Sequence, residues 1–186
     1  MTTRILPIAA LLAAIGLGVA ATSQEDDIFD FIPEGGRGIL EGLREDGLPA
    51  GLETALETGS GDAAHWQELL ARAAEGAPTV AALDDRQTRT LAAYLAARAP
   101  LEPGADLPRD GRDMSLALCQ SCHIITVVIT QDRTREAWLG TMNSPSHIEI
   151  ETTPEERQLL ADYLVINAGI PIDLVPPALR AGGASY

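Results

Sequence analysis

Two thiols and an imidazole lie within five residues of one another in the second half of the chain. Cys119 and Cys122 are separated by two residues, and His123 follows the second cysteine directly. This spacing is typical of the attachment site of a c-type haem. The order suits the chemistry, because the two thiols can add to the two vinyl groups of the ring and the adjacent imidazole is then held under it, where it can bind iron. The stretch therefore predicts one covalently attached haem, with His123 as an axial ligand.

A Cys-x-x-Cys pair also occurs in redox disulfides and in zinc sites. The chain has no other cysteine, and a structural zinc site needs four ligands, so one pair and one His make a poor zinc cage. No βαβ pattern surrounds the pair, as it would in a thioredoxin-like motif. A disulfide between Cys119 and Cys122 stays open as the alternative in an exported protein.

The first 21 residues have the pattern of an export signal. Arg4 precedes an apolar run over residues 5–21, which ends in the small residues Val19-Ala20-Ala21. We predict a signal peptide cleaved after Ala21, with a retained N-terminal anchor as the alternative. Export agrees with the motif, because haem is attached to thiols on the far side of the membrane. The mature protein is expected to be periplasmic, and soluble or peripherally associated with the membrane.

The chain is strongly acidic. Its formal charge is -14, from 13 basic residues, all of them arginine, and 27 acidic residues. Such a surface would be repelled by the phosphates of nucleic acid, so a nucleic-acid partner is not expected. Complementary charge favours a redox protein partner with a basic docking surface.

Capping residues and apolar residues at helical spacing predict an all-α protein. The predicted helices cover residues 36–44, 63–75, 84–98, 110–118, 134–142 and 154–167. Asp62 and Thr153 are predicted N-caps, and Pro154 occupies the first position of the last helix. Glycine and proline residues at 47–51 and 76–78 are predicted to interrupt the helical pattern, and a linker is predicted at 101–109.

The second half resembles the class I cytochromes c, in particular the small monohaem electron-transfer subunits paired with periplasmic sulfite dehydrogenases. The resemblance covers residues 110–169. It rests on the Cys119-x-x-Cys122-His123 motif, on Gly111 eight residues before Cys119, on Arg135-x-x-Trp138, and on Glu155-Glu156-Arg157 leading to Tyr163-Leu164. It implies a cytochrome c-like fold in which the first helix crosses the last one at Gly111. Ser115 stands where the family usually has an aromatic residue.

The two halves of the chain also resemble each other. The segment that begins at Leu83 and leads to Tyr94 is similar to the one that begins at Thr153 and leads to Tyr163, and a tryptophan precedes each. This predicts two tandem helical units. Residues 22–100 would be a degenerate cytochrome c-like unit without haem, and residues 110–186 the haem-binding domain.

The sixth iron ligand is not identified by the motif. In close relatives it is a Met, but that register falls on Pro145 here. Met142 is our first candidate and His147 the alternative, while Met114 is expected in the core. A thioether ligand would raise the reduction potential, and a second imidazole would give a lower one.

Other residues are expected to support the haem. Trp138 is predicted to pack against the ring, with its indole N–H near a propionate. Arg135, like Arg133, is a candidate partner for the propionates. The apolar residues of the run 124–129 are predicted to line the pocket and exclude water.

The sequence thus favours a periplasmic electron-transfer cytochrome with one haem c, which is a subunit or partner of a larger redox complex. No constellation of nucleophile and base indicates an enzyme. The alternative is a haem-based sensor or small-ligand binder with a displaceable sixth ligand. A third possibility is an accessory subunit whose first half serves for docking.

Overall fold

The computed structural model describes residues 28–180, and all regular structure in this range is helical. The predicted all-α class is therefore confirmed. The leader predicted at residues 1–21 lies outside the described residues. The helices are α1 (Gly36–Asp46), α2 (Ala50–Thr58), α3 (Ala63–Ala74), α4 (Pro78–Ala81), α5 (Asp85–Arg98), α6 (Gly111–Met114), α7 (Thr126–Ile129), α8 (Arg135–Met142), α9 (Pro154–Asn167) and α10 (Pro177–Arg180). A π-helical turn (Ser115–Cys119) continues α6, and a 3-10 turn (Ile172–Leu174) precedes α10.

The predicted helix starts are found at their capping residues. The side chain of Asp62 accepts a hydrogen bond from the backbone N–H of His65. Asp84 and Thr153 form capping boxes with Gln87 and Glu156, respectively. Each cap satisfies backbone donors that the first helical turn leaves without a partner.

Two of the predicted breaks are followed directly by helices. Helix α2 begins after Pro49 and buries Leu52 and Leu56, which lie one turn apart. Helix α4 begins at Pro78. The prediction missed both helices because it took proline only as a terminator, although proline also suits the first positions of a helix, where no N–H is needed.

One continuous hydrophobic core includes side chains from both halves of the chain. Helices α5 and α9 pack against each other in its centre, where Asn167 Nδ2 donates a hydrogen bond to Thr90 Oγ1 at 2.9 Å. The predicted linker contains no helix, but it is packed on the body. Leu101 is buried, and its N–H donates to the carbonyl of Leu56.

A tyrosine packs against a glycine at two corresponding helix crossings. A Cβ atom at Gly111 of α6 would overlap the Cβ of Tyr163 of α9, and one at Gly36 of α1 would overlap that of Tyr94 of α5. The hydroxyl groups cross over: Tyr163 donates to the carbonyl of Pro33, and Tyr94 donates to that of Pro108. The crossing predicted at Gly111 is therefore present, and the Tyr163 hydroxyl joins the second half to the first, while the Tyr94 hydroxyl joins the first half to the linker.

The close contact at Gly111 predicts that one added methyl group lowers the stability of the fold markedly. Gly111→Ala is expected to lower the free energy of unfolding by about 1–3 kcal/mol, because the methyl group forces α6 away from α9. Gly42→Ala in α1 is the matched control, since a Cβ there meets nothing within 4 Å. It is expected to leave stability unchanged or raise it by up to about 1 kcal/mol. Urea unfolding measures both values, and equal stability of the two variants would contradict the close contact.

An ion pair joins the segment before α6 to the start of α9. Arg109 donates from Nε and Nη2 to the two carboxylate oxygens of Glu156, at 2.7 and 2.9 Å. These hydrogen bonds lower the pKa of Glu156 to about 2. Glu156 also accepts the N–H of Thr153 in the capping box, so one carboxylate both caps α9 and holds the incoming chain.

This pair predicts a specific pH dependence. The pKa of Glu156 is depressed in the folded chain, so the pair contributes stability that is present above the ordinary value of 4.5 and is lost as the pH falls towards 2. Glu156→Gln keeps a capping side chain but removes the charge, and we expect it to cost about 1–2 kcal/mol at neutral pH. Urea titrations between about pH 7 and pH 3 should show the two proteins converging on acidification. An unchanged gap across this range would exclude the charge as its cause.

Candidate functional site

A cavity of about 330 Å³ lies in the second half, between the Cys-x-x-Cys-His turn, α8 and α9. Its walls are mainly apolar and include Leu118, Val128, Leu160 and Leu164. Six of the residues singled out in the sequence border it: Cys119, Cys122, His123, Trp138, Met142 and His147. The fold therefore brings the predicted haem residues together around one space, although they are spread over 29 positions from Cys119 to His147.

Helix α6 and the turn after it deliver the cysteines. Asp110 caps α6, and the hydroxyl of the buried Ser115 donates to the carbonyl of Gly111 within the helix. The turn closes when Cys122 N and His123 N both donate to the carbonyl of Cys119, at 3.3 and 3.0 Å. Both cysteines and His123 are thus held on one tight turn at the cavity edge.

The two thiols have different surroundings. Cys119 is half-buried and Cys122 is exposed, and both are free. Burial raises the pKa of the Cys119 thiol to about 11, and the neighbouring Cys122 adds to the effect. The Cys119 thiol is therefore neutral at physiological pH, so nothing in its environment activates it as a thiolate nucleophile.

His147 and His123 border the same cavity, and their imidazole rings lie near each other. The centroids of the two imidazole rings are 6.1 Å apart, and the ring planes are inclined by 32°. His147 Nδ1 lies 3.0 Å from the hydroxyl oxygens of both Ser144 and Ser146. These hydroxyls engage Nδ1 and orient the ring, so Nε2 is the nitrogen left for a ligand.

The two methionine candidates are in different places. Met142 ends α8, is half-buried and borders the cavity. Its backbone carbonyl accepts a hydrogen bond from Arg157 Nη1. Met114 is fully buried in the core, as expected, and is not part of the cavity wall.

Trp138 borders the cavity, whereas the arginine candidates do not. Trp138 is 3% exposed, and its buried Nε1 has no hydrogen-bond acceptor within residues 28–180. Nε1 of Trp66 in the first half is in the same situation. Arg135 pairs with Asp162 of α9 (2.5 and 3.3 Å), and Arg133 lies over the Trp138 ring and donates to Thr141.

Of the apolar run at residues 124–129, only Val128 borders the cavity, which corrects the prediction that the whole run lines it. Ile125 and Ile129 point into the core, and Val127 is 41% exposed. The residues from Thr126 onwards form the single turn of α7. Successive side chains on a helix point about 100° apart, so they cannot share one wall.

Three further residues at the site were not identified from the sequence. Ser144 and Ser146 contact His147. Arg157 borders the cavity and donates hydrogen bonds to backbone carbonyls of the loop that carries His147. The Ser-Pro-Ser-His order was a usable signal for the serines, but the contact of Arg157 with the loop depends on tertiary packing.

No protein-family model, curated protein or solved structure matches this chain. Within residues 28–180, no helix is of the length and apolarity that crossing a bilayer requires. In the same range, no three His, Cys, Asp or Glu side chains lie close enough together to hold a bare metal ion.

Proposed function

We propose that the protein is a periplasmic c-type cytochrome that carries single electrons on one haem. Cys119 and Cys122 would hold the haem through thioether bonds, and His123 would bind its iron. The observation that carries the proposal is that the Cys-x-x-Cys-His turn opens onto an apolar cavity that a second imidazole, that of His147, also borders, with its ring centroid 6.1 Å from that of His123. When bound, the haem supplies reversible one-electron oxidation and reduction.

The separation of the two imidazoles suits a shared metal between them. If two imidazole nitrogens bound one metal ion from opposite sides, each at about 2 Å, they would be about 4 Å apart, and the ring centroids would be about 6 Å apart with both rings pointing at the metal. His123 and His147 have this separation. We therefore propose His147 as the sixth ligand in preference to Met142.

The cavity offers what a haem requires besides its ligands. Leu118, Leu160 and Leu164 form an apolar wall that would exclude water. The unpartnered Nε1 of Trp138 can donate to a carboxylate at the rim. The residues present thus fit the predicted group, and two imidazole ligands favour a lower potential than a His–Met pair would give.

The surface next to His147 suits a basic partner. Ile148 is 65% exposed, and the exposed carboxylates Glu149 and Glu151 follow it on the same loop. Together with the overall charge of -14, these carboxylates beside an exposed apolar side chain favour a redox protein with a basic docking surface. The cytochrome would be a non-catalytic subunit or partner of that redox complex.

We also propose that the two halves derive from one duplicated helical unit. The Gly36–Tyr94 and Gly111–Tyr163 crossings correspond, and the capping boxes of α5 and α9 support the same alignment. Twelve residues after each glycine stand Leu48 and His123, respectively. The first unit would therefore lack the axial ligand as well as the cysteines, which agrees with a single haem.

Covalent attachment provides the primary test. Protein produced in cells competent for haem attachment should keep its haem after denaturation, whereas Cys119→Ala combined with Cys122→Ala should lose it completely. Each single variant should retain at most one thioether bond, which shifts the absorption of the reduced haem. Ser121→Ala is the matched control inside the motif and should be fully loaded. A wild-type protein without covalent haem would refute the proposed function.

The sixth ligand has its own test. We expect the oxidised protein to lack the far-red charge-transfer band of Met-ligated iron, and Met142→Leu to leave the spectrum unchanged. His147→Ala should open the sixth position, so that the reduced protein binds carbon monoxide readily. A far-red band that disappears in Met142→Leu would instead assign Met142. Rapid binding of carbon monoxide by the wild type would favour the sensor.

A further inference from the structure

The loop that carries His147 has no apolar anchor. None of the residues 143–152 between α8 and α9 is buried. Hydrogen bonds within the loop form tight turns, in which His147 N donates to the carbonyl of Ser144 and Ile150 N donates to that of His147. These bonds shape the loop but tie it only to itself. Its position against the body must therefore come from other contacts.

The guanidinium of Arg157 supplies most of these contacts. Arg157 lies in the first turns of α9 and donates to the carbonyls of Met142, Ile148 and Ile150. The distances from Nη2 to the latter two oxygens are 3.3 and 3.2 Å. These acceptors stand on both sides of His147 in the sequence, so one side chain fastens both ends of the segment that carries the imidazole.

The carboxylate next to Arg157 in the sequence is paired with another arginine, so Arg157 is available to the loop. Glu156, the adjacent carboxylate, is engaged by Arg109 through two hydrogen bonds. Arg109 makes one longer contact with the loop, from Nη2 to the carbonyl of Glu151 at 3.4 Å. An arginine suits the three carbonyls because its planar fork presents several fixed donors, whereas a lysine presents one compact ammonium group.

We infer that Arg157 is a positioning residue that holds His147 opposite His123 and thereby keeps the sixth coordination position closed. This inference rests on the proposed function, because it takes His147 as the ligand of the haem iron. Without the guanidinium of Arg157, the loop that carries His147 is free to move. The His147 imidazole then competes less well with an external ligand for the iron. Hydrogen-bonding partners outside the ligands commonly change metal affinity about 10- to 100-fold.

Carbon monoxide provides a probe of the sixth position in the reduced holoprotein. We expect Arg157→Gln and Arg157→Lys both to bind carbon monoxide about 10- to 100-fold more tightly than the wild type. The lysine variant retains the positive charge, so a shared effect assigns the role to the fork rather than to the charge. His147→Ala sets the upper limit. Arg44→Gln, which breaks the Arg44–Glu53 ion pair in the first half, is the control for general destabilisation and should behave like the wild type.

Amide hydrogen exchange gives a second readout that does not depend on the iron. Exchange at residues 143–152 should accelerate in both Arg157 variants and not in Arg44→Gln. Wild-type carbon monoxide affinity in both Arg157 variants would overturn the inference, whether or not the loop exchanges faster. Wild-type affinity in His147→Ala would instead refute the ligand assignment on which the inference rests.

Discussion

The close approach of α9 to α6 at Gly111 is the constraint on which the site depends. Tyr163 lies directly against this glycine, and its hydroxyl reaches across to the carbonyl of Pro33. Helix α6 continues through the π-helical turn to Cys119, while α9 presents Leu160 and Leu164 to the cavity and Arg157 to the loop that carries His147. One helix crossing therefore sets the distance between the two walls of the site.

The two sides of the cavity are held by different kinds of interaction. On the side of His123, a capped helix continues into a tight turn. The motif itself fixes the imidazole next to the two cysteines. On the side of His147, a loop without buried residues is fastened by hydrogen bonds to backbone carbonyls. Such bonds open at lower free energy than a packed helix does. The side of His123 is therefore the more rigid of the two, and the separation of the two imidazoles depends on the loop that carries His147.

The features that depend on local chemistry were predictable from the sequence. The caps at Asp62, Asp84 and Thr153 each involve residues three positions apart, so their patterns are visible in the chain. The long apolar helices were predicted for similar reasons, whereas the crossing at Gly111 was an expectation from the resemblance of the second half to a known family. Helices α2 and α4 were missed because Pro49, which precedes α2, and Pro78, which begins α4, were taken as terminators. The motif residues and both candidates for the sixth ligand border the cavity, but spacing alone did not distinguish His147 from Met142, because their positions relative to His123 depend on how the loop folds back.

A comparison of the two halves distinguishes the contacts that stabilise the fold, which both halves have, from the segment that forms the site, which only the second half has. Both keep a glycine under a tyrosine and a capping box on the helix that carries this tyrosine. They differ in the segment that follows the glycine. In the first half Arg44 pairs with Glu53 and α2 fills the core with Leu52 and Leu56, whereas the second half has the cysteine turn and a cavity there. Because the crossing does not use these segments, they can differ between the two halves while the packing of the helices at the crossings is retained.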